Sequence, residues 1–346
     1  MKRICNLTWH SDLGAARADA TRRNRPILSL RLLGRLDEEL SCANSRFFRT
    51  TLYPAAQVAA LLDARFTLHW QSVRPVPRVT IDFGDGRVLT RTLTGNSAHL
   101  ILDRAGRPVD VLPGLFDAGS FARLLAAAAD LAHDTAALDG PARAQRLARW
   151  HTSRAEAITR AWRADLARIG LPPGLTTRTP PDGLAAITPW AQLAADYAHA
   201  ALPDPDVRSR LAAALPPPAP PARGTDARSA GALAPTKMMV ERPLLDVLLP
   251  LAQSIAEDTL RNQFELHRRA HLHLATAAAA TTAATTTAAT ADPTAATTAT
   301  TAATADPVAL TDWVYRDLFQ MPLDDPWLGL RPAAFDGLPG PPTPRL

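Results

Sequence analysis

A mixed α/β domain with a central sheet and flanking helices, followed by a mostly α-helical C-terminal region with disordered linkers, is the fold class this sequence predicts. Three observations lead there. The first third carries short apolar or alternating runs separated by glycine and aspartate turns, which is the pattern of strands. Beyond residue 136, arginine and alanine recur at helical spacing. Two later stretches break this pattern, one rich in proline and one almost entirely alanine and threonine, and the second holds no large side chain to bury. Such segments cannot offset the entropy of ordering the chain.

Taken in order, residues 26–33, PILSLRLL, are a short apolar run after a charged segment and read as a buried strand. Residues 57–62, QVAALL, have helical character, and residues 65–70, RFTLHW, alternate like a strand. Residues 79–83 and 88–93 flank Gly84-Asp85-Gly86, and an Asp-Gly step between alternating runs signals a hairpin. Residues 99–103, HLILD, read as another strand, turned by Arg104-Ala105-Gly106, and a helix is expected over 118–131. These elements place the first domain at 1–135. The span 136–214 reads as helical, interrupted by LPPGLTTRTPPDG. A Pro-rich linker follows at 215–235, stiff and solvated in character. The helical C-terminal region runs over 236–330, with a helix at 243–274 and a short one at 308–315. Between them lies an Ala/Thr insertion at 275–307, expected to be disordered or frayed. Residues 331–346 form a tail.

Composition narrows the function classes. The 346 residues carry a net charge of +5, and of 38 basic residues only Lys2 and Lys237 are lysine. The arginines are spread mostly singly among acidic residues, so no specific nucleic-acid partner is expected. A basic nucleic-acid binder stays as the remotest alternative. No continuous apolar run reaches about 18 residues, so no membrane partner is expected. The N-terminus lacks the apolar segment of a secretory signal. Cys5 and Cys42 are too few for a disulfide framework and form no CxxC pair. A cytoplasmic chain with free thiols, no cofactor and no metal is the expectation.

The thiol that draws attention is Cys42, in residues 41–49, SCANSRFFR. A thiolate at a helix start meets unpaired backbone N–H groups and the positive end of the helix dipole. Arg46 lies one turn further on and adds to that field, whereas Glu38 and Glu39 oppose it. The same residue also suits a buried structural role, because free cysteine is among the most buried residue types.

The order of strand, SCANS, helix, strand, hairpin, strand, glycine turn and helix resembles the thioredoxin fold over about residues 8–132. PILSLRLL resembles the strand before the thiol, QVAALLDARFTLHW the helix-to-strand stretch, and HLILDRAGRPVDVLPGLFDAGSFARLL the last strand pair and closing helix. The resemblance implies single-cysteine thiol–disulfide chemistry, because Cys42-Ala43-Asn44-Ser45 carries a hydroxyl at the resolving position. The position of the family's cis-proline falls near Ala98, where no proline stands. Cys42 is then the nucleophile, Ser45 and Arg46 help to hold its thiolate, and a protein or low-molecular-weight thiol is the partner. A non-catalytic protein-interaction module on the same fold is the alternative.

His99, at the start of a strand, is a candidate base for Cys42, or else a hydrogen-bonded strand histidine. In the late helix Asp258 and Asn262 share one face and need partners if buried. His267 and His271 lie four apart, a spacing able to serve a metal. Arg268 and Arg269 oppose a cation there, so a packed, hydrogen-bonded helix is expected instead. This C-terminal unit resembles the tail of uncharacterised bacterial thioredoxin-like proteins, a resemblance that implies no activity.

Overall fold

The computed structural model describes residues 1–92, 95–168, 173–174, 261–288 and 306–328. The expected linker at 215–235, most of the 243–274 helix including Asp258, and the tail at 331–346 lie outside the described residues.

A six-stranded mixed sheet forms the centre. Its strands are β1 (Lys2–Ile4), β2 (Leu7–His10), β3 (Ile27–Leu33), β4 (Thr67–Arg74), β7 (Ser97–Leu102) and β8 (Pro108–Pro113), in the spatial order β1-β2-β4-β3-β7-β8. Strands β2, β4 and β3 run parallel, β7 pairs antiparallel with β3, and β8 pairs antiparallel with β7, so that β8 again runs in the direction of β3. Every residue of β3 is buried, because helices and loops cover both faces of this central strand. The hairpin predicted around Gly84-Asp85-Gly86 forms as a separate two-stranded sheet of β5 (Arg78–Asp82) and β6 (Val88–Thr92). Gly84 and Gly86 both take positive φ there, which glycine adopts without a Cβ penalty.

The helices follow from local chemistry. Helix α1 (Leu13–Arg23) starts where Asp12 accepts from the Ala15 N–H at 2.6 Å and ends at the left-handed Asn24. Next come α2 (Ala43–Phe47), which passes into a π-helical turn at Phe48–Leu52, and α3 (Ala56–Arg65). Helix α4 (Ala118–Ala136) is capped by Asp117, which accepts from Ser120 N at 2.8 Å. Helix α5 (Gly140–Arg168) then packs along α6 (His267–Ala288). Trp162 of α5 stacks on Phe264, just before α6, at 4.3 Å between ring centroids.

One expectation is corrected here. The Ala/Thr tract does not begin as disorder at residue 275, because α6 continues through Ala288. Alanine is the best helix former. Its small side chain also lets two helix axes approach closely, and Ala270, Ala277 and Ala278 are all buried. The predicted short helix near 308 is α7 (Pro307–Trp313), capped by Asp306 and continued by a π-helical turn at Val314–Leu318.

Asp103 ties the sheet to the helical layer. Its carboxylate accepts from the N–H groups of Ala105 and Arg107 at 3.0 and 2.9 Å, and from Arg107 Nε at 2.7 Å. This closes the β7–β8 turn, in which Gly106 has φ +87°. The buried Arg143 of α5 donates to Asp103 at 3.4 Å and to the Pro108 carbonyl at 2.9 Å. Removing the charge leaves a buried guanidinium short of its counter-ion. Asp103→Asn is expected to lose about 2 kcal/mol in urea unfolding, with the turn retained.

Candidate functional site

Cys42 caps α2, as the sequence predicts for a helix start. Its Sγ accepts from the Ser45 N–H at 3.4 Å and shares a hydrogen bond with Ser97 Oγ at 3.1 Å. The expectation of an accessible, acidified thiol is not met. Cys42 is 0 % exposed and belongs to the hydrophobic core. Burial pushes its pKa up, against the smaller lowering effects of the Ser97 hydroxyl, the backbones of Ser45 and Leu33, and the charge of Arg46. Magnitudes decide the sign. A helix start offers about 0.3–1 kcal/mol to an exposed anion, whereas removing an ion from water costs several kcal/mol. The sulfur is therefore held as a neutral thiol at pH 7.

The cover over the sulfur has two sources. The first is the loop before β7. A Cβ built on Gly95 would stand 2.2 Å from Cys42 Cβ, so only glycine permits this approach of backbone to thiol. In the same loop Asn96 accepts from Asn44 Nδ2 of α2 at 2.7 Å. The second source is the C-terminal segment. Tyr315, fully buried, donates its hydroxyl to the Asn96 carbonyl at 2.9 Å. Further along, the Leu323 and Asp325 carbonyls accept from Arg74 of β4 at 3.1 and 2.7 Å.

The other expected site residues are distributed differently. Ser45 contributes its backbone N–H, while its buried hydroxyl finds no hydrogen-bond partner among the described residues. Arg46 is half-buried, and its charge would favour the thiolate form of Cys42, an effect smaller than that of burial. His99 does not meet the thiol. It lies two residues beyond Ser97 on the same strand face, about 6–7 Å further along. Its Nε2 is hydrogen-bonded to Tyr53 Oη at 2.8 Å, and its ring packs 4.6 Å from Phe48 and 4.8 Å from Phe121. Burial pushes its pKa down to about 3, so it is a neutral core histidine here. Cys5 is a second free thiol, half-buried, donating to the Arg49 carbonyl at 3.1 Å.

Sequence reasoning missed Gly95, Ser97, Asn96 and Tyr315, and also Arg31. The last lies in β3, 2 % exposed, with no hydrogen-bond partner for Nε or Nη2 among the described residues. Burial lowers its pKa to about 10, with the Tyr315 hydroxyl and Asp306 acting the other way. Asn262, expected to need a partner, is buried directly against Gly114, whose φ of +76° and lack of a side chain make room for it. The adjacent Gln263 donates to Asp117 at 2.8 Å.

The buried histidines set an acid limit. His69, hydrogen-bonded to Ser29 at 2.7 Å, is pushed down to about 3 by burial and then by Arg31, and His99 is lowered alike. Both titrate near 6.5 when unfolded. Unfolding therefore takes up protons below that pH, so their contribution is fully present above 6.5 and lost as pH falls toward 3. Urea midpoints are expected to drop between pH 7 and pH 4.5, and His99→Gln to remove part of that slope.

The chain matches no protein-family model, and no curated protein matches it. Among the described residues, no helix is long and apolar enough to cross a membrane.

Proposed function

We propose that this chain is a thioredoxin-like scaffold that presents a surface to a protein partner and performs no disulfide exchange in its resting form. The strand order, with parallel β2, β4 and β3 followed by β7 antiparallel to β3 and β8 antiparallel to β7, and the thiol at the helix after β3 support the thioredoxin-like reading. The observation that carries the non-catalytic reading is the complete burial of Cys42. A thiol that is both neutral and out of reach cannot attack a disulfide. The β5–β6 hairpin supports the interaction reading, because Phe83 and Val88 expose 56 % and 59 % of their surface on it. A reducing, cytoplasmic setting fits two free thiols.

The test uses the intact protein with glutathione and a small-molecule disulfide. No turnover above that of Cys42→Ser is expected. Proximity crosslinking to a cellular protein is expected to survive Cys42→Ser and to fall with Phe83→Asp. Turnover that disappears in Cys42→Ser overturns this reading.

A second reading rests on the Ser45 N–H that faces Sγ and on the charge of Arg46. In it, displacement of the C-terminal cover frees the thiol. The Cys42 thiolate then attacks one sulfur of a disulfide and expels the other as a thiolate. Glutathione thiolate attacks the mixed disulfide, restoring Cys42 and leaving glutathione on the substrate sulfur. It requires turnover that rises when the cover is loosened.

A further inference from the structure

We propose that Asp110, His151 and His271 form a binding site for a divalent transition-metal cation of the zinc class, which fastens the helical pair to the edge of the sheet. The three residues come from β8, α5 and α6. One ligand atom from each falls within 4.8 Å of the others, and all three side chains are buried. His151 Nδ1 and His271 Nδ1 stand 2.8 Å apart, and Asp110 Oδ1 lies 3.8 Å from His271 Nδ1. A tetrahedral ion with bonds of about 2.0–2.1 Å spaces its ligand atoms about 3.3 Å apart. The two separations straddle that value, so shifts of about half an ångström complete the cage.

The hydrogen bonds around the cluster prepare it for a cation. His151 Nε2 lies 3.0 Å from the Val109 carbonyl. A carbonyl only accepts, so Nε2 carries the proton and the His151 Nδ1 lone pair accepts from His271 Nδ1–H at 2.8 Å; a cation takes the place of that shared proton, which moves to His271 Nε2. Orientation of a ligating histidine by a backbone carbonyl is the usual outer support of a metal site. Asp110 accepts from the Val111 N–H at 2.8 Å and supplies the negative charge. Two imidazoles and one carboxylate suit zinc and its neighbours better than calcium or magnesium.

Ordinary core packing explains the group less well. His271 Nε2 and His267 Nε2 are buried with no hydrogen-bond partner among the described residues. His267 lies one turn before His271, with ring centroids 4.4 Å apart. Buried imidazole nitrogens left without partners are a costly way to fill an apolar interior. Beside them, a groove between α5 and α6 is lined by Thr152, Ala155, Arg160, Arg163, Arg268 and Leu272. Arg154, whose charge also acts on this cluster, opposes a cation there, and the Asp110 carboxylate counters it when ionised.

The test uses the full chain without a histidine tag, treated with a chelator and dialysed. Adding Co²⁺ is expected to produce the visible ligand-field bands of a four-coordinate ion, saturating near one equivalent and abolished by Zn²⁺. Zn²⁺ is expected to raise the thermal midpoint. His271→Gln and Asp110→Asn, checked for native circular dichroism, are expected to weaken Co²⁺ binding at least about tenfold, since even outer-shell losses cost 10–100-fold. Wild-type protein that takes up no Co²⁺ and melts alike with and without Zn²⁺ overturns the proposal, whether or not the variants fold. Undiminished binding by folded His271→Gln overturns it as well.

Discussion

Tyr315→Ala is expected to lower stability by about 3–5 kcal/mol and, in the same protein, to speed alkylation of Cys42. Truncating a fully buried aromatic side chain leaves a cavity and forfeits its contacts. Tyr315 is 0 % exposed and edge-packed on Phe319 at 5.3 Å. Its hydroxyl also ties the C-terminal segment to the Asn96 carbonyl, and Asn96 in turn holds α2 through Asn44. One side chain thus fixes both the segment and the loop that closes over the thiol. Tyr315→Phe separates the two contributions. It removes one hydrogen bond, worth about 1 kcal/mol, and retains the packing, so Cys42 is expected to stay protected. Equal labelling of Tyr315→Ala and wild type would show that the cover is Gly95 and Ser97 alone.

Gly95→Val is the second large effect. Its Cβ would meet Cys42 Cβ at 2.2 Å and Cys42 Cα at 3.2 Å, and neither atom can swing aside as the end of a long side chain can. Overpacking of this kind costs about 1–3 kcal/mol and more where backbone must move. A loss of at least about 3 kcal/mol is expected, read from the urea midpoint. Cys42→Gly in the same chain removes the colliding Cβ and is expected to restore part of the loss, a coupling that a double-mutant cycle measures. Additive losses would place the strain elsewhere.

Much of the sheet was legible because its signals are local. PILSLRLL is short and apolar enough to announce β3, and Gly84-Asp85-Gly86 marks the β5–β6 hairpin by turn chemistry alone. Helix α1 was not read, since its buried side chains are Ala16, Asp19 and Ala20, and two alanines and an aspartate carry almost no hydrophobic period. The Ala/Thr tract misled in the opposite direction. Lack of large side chains suggests disorder, but from residue 275 to Ala288 the tract is helix, and α5 supplies the surface that its small side chains need.

The candidate site divides in the same way. That Cys42 starts a helix could be read from neighbouring residues. That it is sealed could not, because Tyr315 comes from the far end of the chain and Gly95 looks like any loop glycine. Ser97 and His99 occupy one strand face, and sequence alone could not say which of them meets the sulfur. Asp110, His151 and His271 are scattered along the chain, and only the packing of β8 against α5 and α6 brings them together.

Alkylation of native protein by iodoacetamide between pH 6.5 and 8.5, with Cys42 and Cys5 resolved by peptide mass, measures the state of the buried sulfur directly. Cys42 is expected to react at least about a hundredfold more slowly than in urea, which needs an opening free energy of only about 2.8 kcal/mol. Native Cys42 that labels faster than the unfolded chain below pH 8 would mean an accessible thiolate, and would contradict the sealed, neutral thiol described above.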